Sequence, residues 1–292
     1  MIIVRLKGGL GNQMFQYALG RVLSFKNNTK LKLDPAFFNL NFKNITKRSY
    51  DLDVFSIKAE IVEKSEIPFV FRLPKSKIVI YLIYLFRKII KSSGQEKSFN
   101  FDKNILSIGG NAYLDGYWQS PKYFEGFENI ISKDFTLKNP PAQNIRNLAE
   151  EIANTNSLCI HVRRGDYVGN KNHEIVDNDY YRKGIEYIKN HAQIDRIYVF
   201  SDDIEWCKNN LKFEFPSIFV GYEYAGIRGE GHMFLMSKCK NFIIVNSSFS
   251  WWGAWLSNYE KKIVICPKQW FTNASININD LIPKDWIPLE II

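Results

Sequence analysis

The sequence predicts an α/β protein with two parallel sheets, each covered by helices, and three observations support this. The length of 292 residues fits two medium domains, at roughly 100 to 200 residues per domain. The composition, 46% apolar and 24% charged with ten prolines, is typical of a folded globular chain and excludes disorder and collagen-like repeats. Short apolar runs alternate with segments of helical periodicity, which implies right-handed crossovers between parallel strands.

The alternation is clearest in the second half, where each predicted strand is a short apolar run and each predicted helix carries apolar residues three or four apart. The predicted strands are Ser157–Arg163, Arg196–Ser201, Ser217–Gly221, Asn241–Asn246 and Lys262–Cys266. The predicted helices are Asp179–His191, Ile204–Leu211, His232–Lys240 and Phe249–Asn258.

The first half begins with the same pattern and then becomes irregular. Residues 1–6 form a predicted strand, residues 8–13 a tight glycine-rich loop and residues 14–25 a helix. Adjacent prolines at 140 and 141 interrupt regular structure. We therefore predict an N-terminal domain over residues 1–143 and a C-terminal domain over residues 144–292, each with a Rossmann-like sheet.

Polar clusters follow three predicted strands of the second half, at residues 161–166, 201–203 and 246–248. In an open parallel sheet, ligands bind beyond the carboxyl ends of the strands. The three loops are therefore expected to converge on one ligand site.

The first cluster, His161–Asp166, contains two arginines that suit a pyrophosphate, because a guanidinium can hold it bidentately and stabilise its developing charge. Side chains alternate along an extended segment, so we expect Arg163 to share a face with His161 and Arg164 to point the other way. A surface network of arginine and aspartate is the alternative.

The other two clusters also have simpler explanations. Asp202 and Asp203 could ligate a metal, but a metal usually needs further carboxylates or imidazoles, so we favour a nucleoside contact for one and a helix cap for the other. The segment 246–252 starts a helix, whose N-terminus favours anions; plain N-capping with a buried tryptophan pair is the alternative.

The loop at 8–13 resembles a dinucleotide-binding motif only loosely, because Met14 replaces its third glycine. A simple turn explains its glycines about as well.

Charge and cysteine content argue against several other classes of protein, namely nucleic-acid-binding, zinc-containing and secreted proteins. Residues 1–150 carry 23 Lys/Arg and 13 Asp/Glu, a net +10, whereas residues 151–292 carry 16 and 17, a net −1. The candidate site therefore lies in the half without excess positive charge, and no nucleic-acid-binding motif is present, so we expect no nucleic-acid partner. The four cysteines form no C-x-x-C pair, which predicts no structural zinc and a reducing compartment. We also expect no signal peptide, because Arg5 and Lys7 interrupt the first apolar run.

The apolar run Ile78–Phe86 is nine residues long, too short for a membrane span of roughly 20. Seven cations flank it between Arg72 and Lys97. A buried helix is favoured, and a helix lying on an anionic membrane surface is the alternative.

Four motifs together resemble the bacterial family 11 α-1,2-fucosyltransferases, and they occur in order as far as about Pro267. They are Gly8-Gly-Leu-Gly-Asn-Gln-Met-Phe-Gln-Tyr-Ala18, His161-Val-Arg-Arg-Gly-Asp-Tyr167, Val199-Phe-Ser-Asp-Asp203 and Asn246-Ser-Ser-Phe-Ser-Trp-Trp-Gly-Ala-Trp255. The resemblance implies a GT-B-like fold of two Rossmann-like domains with a cleft between them, in which residues 1–143 are the acceptor-side domain and residues 144–292 are the GDP-sugar-binding domain. It also implies metal-independent, inverting transfer of L-fucose from GDP-fucose to the 2-hydroxyl of a galactoside, without a cofactor. Transfer of another GDP-linked deoxysugar such as colitose stays open, and a non-catalytic sugar-binding protein is the alternative of a different class.

The resemblance also implies roles for individual residues. His161 and Arg163 are expected at the ribose and β-phosphate, and Asp202 at the guanine or ribose. The pyrophosphate contacts are expected from Ser248, Phe249 and Ser250. Asn12 is expected near the transferred sugar, and Gly9 and Gly11, which precede it in the glycine-rich loop, are expected to contact the donor.

Two positions are less clear. Asp115, in Tyr113-Leu-Asp-Gly-Tyr-Trp118, is a candidate base, although this aromatic loop could instead be an acceptor platform. His232 stands where the family often has an acidic residue. We expect a cytoplasmic enzyme of surface-glycan or O-antigen synthesis, with peripheral contact to the inner face of the membrane as a further hypothesis.

Overall fold

The computed structural model describes residues 1–40, 47–67, 93–96, 98–167, 176–273 and 276–290. The chain forms two compact units. Unit 1 contains Met1–Thr136 and Asn279–Leu281, and unit 2 contains Leu137–Ile278 and Ile282–Ile292. Each unit has its own parallel sheet with helices, so the predicted α/β fold class is confirmed.

The sheet of unit 1 has five described strands in the order β3-β2-β1-β5-β4, with every pair parallel. The strands are β1 Ile2–Arg5, β2 Leu31–Asp34, β3 Glu60–Ile61, β4 Ser93–Gln95 and β5 Ala112–Asp115. All four residues of the central strand β1 are buried. The first three, Ile2, Ile3 and Val4, form a continuous apolar run, which is typical of a strand covered on both faces.

The main helix of unit 1, α1 (Leu10–Lys26), begins four residues earlier than predicted. Gly8 has φ +80° and Gly9 is the N-cap, so these two glycines complete the turn. The N–H groups of Asn12 and Gln13 already donate to the Gly9 carbonyl, at 3.0 and 3.1 Å. The prediction that residues 10–13 form a loop was wrong, because their glycine and amide residues are part of the first helical turn.

The other helical elements in the described part of unit 1 are short. They are α2 Glu128–Asp134 and the 3₁₀ turns Ala36–Asn39, Leu52–Val54, Lys103–Ser107 and Pro121–Tyr123. Tyr17 of α1 ties two of these parts together: its hydroxyl donates to Asp134 Oδ2 at 2.6 Å and accepts the Lys58 N–H at 2.9 Å.

The sheet of unit 2 has six described strands, all parallel, in the order β11-β10-β9-β6-β7-β8. They are β6 Ser157–Val162, β7 Arg196–Ser201, β8 Ser217–Phe219, β9 Asn241–Ile243, β10 Val264–Pro267 and β11 Ile287–Leu289. Five of these match predicted strands. β11 was missed because it is a three-residue edge strand that contains Pro288, a residue that normally argues against a strand.

The helices of unit 2 are α3 Gln143–Asn154, α4 Asn178–Lys189, α5 Ile204–Asn210, α6 Glu230–Met236 and α7 Ser248–Trp255. α4 shows why they form where they do. The Asp177 side chain caps its N-terminus by accepting the Tyr180 N–H at 2.9 Å. Its apolar face, which includes Ile185 and Ile188, packs into the core beneath β6 and β7.

The division between the units falls between Thr136 and Leu137, seven residues before the predicted boundary. The two prolines precede α3, so they mark the start of that helix within unit 2. Asn279–Leu281 returns to unit 1, where Asp280 Oδ2 accepts the Phe101 N–H at 2.9 Å and the carboxylate pairs with Lys122. A three-residue return has no periodicity and left no signal in the sequence.

No helix in the described ranges is long and apolar enough to cross a membrane. The apolar run Ile78–Phe86 and its basic flanks lie outside the described residues.

Candidate functional site

Arg163 lies at the carboxyl edge of the unit 2 sheet, where β6 and β7 end side by side. The register pairs Val162 with Ser201, so the residues that follow both strands are neighbours. Arg163 Nη1 lies 3.1 Å from Asp202 Oδ2. This ion pair sets the orientation of the guanidinium.

Asp202 also organises the backbone at this edge. Its Oδ1 accepts the Arg164 N–H at 2.9 Å, and its own carbonyl accepts the Tyr222 hydroxyl at 2.6 Å. A Cβ at Gly165 would overlap the Asp202 carboxylate, so the glycine permits this close approach. Because both carboxylate oxygens already have protein partners, a contact from this carboxylate to guanine or ribose would have to be shared with Arg163 or Arg164.

Arg164 has a different environment from Arg163. Its Nε lies 3.4 Å from Asp203 Oδ2, and its guanidinium stacks 3.8 Å above the Trp206 ring. Asp203 in turn caps α5 by accepting the Trp206 N–H at 3.3 Å. The second arginine and the second aspartate thus form the structural network that the sequence analysis gave as the alternative for this motif.

His161 is almost fully buried, at 4% exposure, and its ring packs against Phe249 with a centroid distance of 6.0 Å. Its buried Nδ1 has no hydrogen-bond partner within the described ranges, which is uncommon for a buried polar atom. Burial, and to a lesser extent the nearby Arg163 and His232, lower the pKa of His161 to about 3. The imidazole is therefore neutral at physiological pH.

The N-terminus of α7 belongs to the same edge. The Tyr167 hydroxyl donates to the Asn246 carbonyl at 2.8 Å, and Arg163 lies 5.5 Å from the Tyr167 ring. An α-helix N-terminus carries a partial positive charge, so Ser248 and Phe249 begin the helix at a place that favours an anion. All three predicted loops therefore meet.

Ser250 is a correction to the predicted pyrophosphate contacts. Its side chain is completely buried, and its hydroxyl donates to the Ser247 carbonyl at 3.2 Å. Only its backbone N–H remains for the predicted contact. The next two residues, Trp251 and Trp252, are fully buried and pack edge to face, with ring centroids 5.0 Å apart.

His232 lies beside this cluster and has a structural role. Its Nε2 lies 2.9 Å from the Gly221 carbonyl, to which it donates, and its ring packs edge-on against Phe200. Burial lowers the pKa of His232. The neutral ring ties α6 to the residue after β8, a role that an acidic side chain could not fill in the same way, because a carboxylate has no donor for the carbonyl.

The predicted residues of unit 1 surround the β1–α1 turn and the end of β5. Gly9 caps α1, Gly11 is buried in its first turn, and Asn12 Oδ1 accepts from Gln119 Nε2 at 2.6 Å. Asp115 pairs with Lys7 Nζ at 3.0 Å.

Arg5, the last residue of β1, also pairs with Asp115, at 3.4 Å through Nη1. The sequence analysis missed Arg5 and Lys7, although a charged residue closing an apolar strand was a usable signal. Tyr167 and Tyr222 were missed because their role comes from contacts with distant carbonyls that no local pattern reports.

No group of three or more His, Cys, Asp or Glu side chains in the described part of the chain is arranged to hold a metal. The four cysteines are buried and free. Metal independence stays a prediction.

Two solved structures resemble the fold. They are NodZ alpha-1,6-fucosyltransferase co-crystallized with GDP (TM-score 0.52, 13% identity, 86% of this chain and 90% of that chain), and a mutant of Arabidopsis thaliana FUT1 in complex with GDP (TM-score 0.51, 11% identity, 90% and 69%). At these identities the likeness shows the fold alone. The fold is that of the GT-B glycosyltransferases.

The sequence comparisons go further. The family model described as Glycosyl transferase family 11 matches residues 1–290. Similar relatives are an Escherichia coli alpha-1,2-colitosyltransferase (36% identity, 99% of each chain) and the Escherichia coli O-antigen biosynthesis glycosyltransferase WbnK (34%, 97% of this chain and 99% of the relative). A galactoside 2-alpha-L-fucosyltransferase of Caenorhabditis elegans is 25% identical over 90% of this chain and 71% of its own length. The chain belongs to glycosyltransferase family 11 and is a glycosyltransferase.

Proposed function

We propose that the protein transfers L-fucose from GDP-fucose to the 2-hydroxyl of a galactoside, with inversion and without a metal. The observation that carries the proposal is the cluster at the carboxyl edge of the unit 2 sheet. It combines Arg163, oriented by Asp202, with the neutral His161 and the N-terminus of α7. A guanidinium and a helix N-terminus together suit a diphosphate. The alpha-1,2 linkage and the galactoside acceptor are supported by the activities of two relatives, an alpha-1,2-colitosyltransferase and a galactoside 2-alpha-L-fucosyltransferase.

In this proposal Arg163 stabilises the GDP leaving group. As the bond between the sugar and the diphosphate breaks, negative charge grows on the β-phosphate. An oriented donor aimed at that charge stabilises the transition state more than the ground state. The ion pair with Asp202 holds Arg163 in place before the donor arrives, so little reorganisation is needed during the reaction.

The candidate base Asp115 is less well suited to its role than Arg163 is. Its carboxylate shares its charge with Arg5 and Lys7, which weakens it as a proton acceptor. We therefore favour a loose, oxocarbenium-like transition state in which the acceptor hydroxyl loses its proton late, so that no strong base is required.

Colitose is the second candidate for the transferred sugar, and the 36% identity to an alpha-1,2-colitosyltransferase favours it. L-fucose and colitose differ by one hydroxyl, at C3. A galactoside acceptor offered GDP-fucose and GDP-colitose separately distinguishes them through the ratio of kcat/KM values. The similarity to WbnK supports an O-antigen or other surface glycan as the product.

The role of Arg163 is tested with Arg163→Ala and Arg163→Lys. We expect kcat to fall at least about 100-fold in both, because removal of one donor of this kind typically lowers kcat by about 10² to 10³ and lysine lacks the planar fork. Arg196→Ala is the control. Arg196 is the first residue of β7, so it lies at the amino end of the strand, away from the site, and it pairs with Glu151. We expect wild-type turnover in the control and unchanged activity in EDTA. A folded Arg163→Ala protein with wild-type turnover, or strict metal dependence, would refute the proposal.

Peripheral contact with anionic lipid is a separate proposal, based on the cations between Arg72 and Lys97. Sedimentation with phosphatidylglycerol vesicles tests it. The Arg87, Lys88 and Lys91 triple alanine variant should bind less, and equal binding by wild type and variant would count against the contact.

A further inference from the structure

Unit 1 contains a cavity of about 510 Å³ next to the end of β4. Its volume lies within the range of small-molecule sites, about 300 to 1,000 Å³. Its walls come from the segment after β4 and from the loop that follows β5. The lining residues are Gln95, Glu96, Ser98, Asn100, Phe101, Asp102, Lys103, Asn104, Trp118 and Tyr123.

One wall of the cavity is a strained loop held by Glu96. The two carboxylate oxygens accept the N–H groups of Tyr117 and Trp118, at 2.7 and 2.9 Å. Trp118 has φ +56°, an outlier for a bulky residue that costs on the order of 1 to 3 kcal/mol. Strain of this kind persists where the surroundings enforce it, and it concentrates at functional sites. The two hydrogen bonds to one carboxylate enforce it here.

Trp118 also has a buried polar atom without a partner. The side chain is 1% exposed, and its Nε1 has no hydrogen-bond partner among the described residues. Its ring packs edge-on against Tyr123, with centroids 5.8 Å apart. An indole N–H is nearly always paired when buried, so the unpaired one adds to the cost of this loop conformation.

The described lining residues disfavour an anionic ligand. Among them, Glu96 and Asp102 carry two negative charges against the one positive charge of Lys103, so a phosphate or diphosphate would meet a wall of net negative charge. Three amides and the hydroxyls of Ser98 and Tyr123, which both donate and accept hydrogen bonds, complete the described polar lining. Half-buried Phe101 adds an apolar face. A ligand that matches these walls is uncharged, rich in hydroxyls and apolar on one side of a ring.

We propose that this cavity binds a neutral saccharide unit of the acceptor glycan. Hydroxyl groups would bond to Asn104, Glu96 and neighbouring polar groups, and the C–H face of the ring would pack on the aromatic wall. The assignment to the acceptor rests on the proposed function, whereas the fit to a neutral saccharide rests on the cavity alone.

Two matched substitutions test the cavity. Ser98→Trp places a bulky ring in the lining, whereas Ser107→Trp makes the same change at the exposed end of the 3₁₀ turn Lys103–Ser107, outside the cavity. The probe is lactose, and its binding is measured by saturation-transfer NMR and its KM by transfer from GDP-fucose. We expect Ser98→Trp to raise both the Kd and the KM for lactose at least tenfold while the Kd for GDP is unchanged. Ser107→Trp should leave all three at wild-type values.

Asn104→Ala provides a second test that adds no bulk, and it should weaken lactose binding several-fold. Wild-type lactose affinity in both Ser98→Trp and Asn104→Ala, or no lactose binding by the wild-type protein at tens of millimolar, would overturn the assignment. If lactose binds through the cavity but neither GDP-fucose nor GDP-colitose supports transfer, the proposed function fails and the saccharide site stands. If transfer to lactose is normal in Ser98→Trp, the cavity assignment fails and the function stands.

Discussion

His161 should make the stability of unit 2 depend on pH between about 3 and 6.5. Its pKa falls from the ordinary 6.5 to about 3 in the folded protein, chiefly through burial. Between these values the unfolded chain binds a proton that the folded protein does not, so the free energy of unfolding rises with pH. The contribution of the neutral His161 to the free energy of unfolding is complete above pH 6.5 and is lost as the pH falls below it. Each pH unit below 6.5 removes about 1.36 kcal/mol, so the free energy of unfolding at pH 5 is about 2 kcal/mol lower than at pH 7.5.

The assay is urea denaturation of the wild type and of His161→Asn at several pH values from 7.5 to 5. His161→Asn removes the titrating ring, so its free energy of unfolding should fall by about 2 kcal/mol less than that of the wild type over this interval. His191→Asn, at the exposed C-terminal end of α4, is the matched control and should keep the wild-type slope. If His161→Asn and the wild type lose the same free energy within about 0.5 kcal/mol, the argument from burial is refuted.

Two further substitutions test buried hydrogen bonds by thermal and urea unfolding. Lys262→Met should lower the free energy of unfolding by about 3 kcal/mol, because the Lys262 ammonium donates to three carbonyls at and just beyond the end of α7. The control is Lys261→Met, at the exposed neighbouring residue, which should change the free energy of unfolding little. Tyr17→Phe should lower it by about 2 kcal/mol, because the buried hydroxyl bridges Asp134 and a backbone N–H, with the more exposed Tyr259→Phe as control. A loss below about 0.5 kcal/mol in either test variant would contradict the corresponding role.

The sequence predicted unit 2 well for a physical reason. Central strands of a parallel sheet are buried on both faces, so β6 and β7 contain the continuous apolar runs Leu158–Ile160 and Ile197–Phe200, and the first charged residues after the strands are Arg163 and Asp202. Helix α4 carries a single apolar face, which fixes its period. Unit 1 was harder because its described strands have at most four residues, and the described segments between them include 3₁₀ turns, which have no amphipathic signal.

The candidate site was predictable where it follows strand ends and not where it depends on distant contacts. The different environments of Arg163 and Arg164 follow from the alternation of side chains along an extended chain. In contrast, the burial of Ser250 depends on how α7 packs, and the bond from Tyr222 to the Asp202 carbonyl joins residues 20 positions apart. The left-handed backbone conformation of Trp118 could not be predicted either, because position 118 holds neither the glycine nor the asparagine that usually adopts it.

The location of the charge decides what the positive first half of the chain can do. At the described carboxyl edge of unit 1, Arg5 and Lys7 are paired with Asp115, and Glu96 and Asp102 make the neighbouring cavity negative. Long-range attraction depends on charge that is not neutralised by close partners. Seven cations and one acid lie between Arg72 and Lys97, so this segment accounts for six of the ten excess charges of residues 1–150. An anionic partner of the first half should therefore be sought at that segment, whereas the cavity beside β4 suits the neutral part of the acceptor.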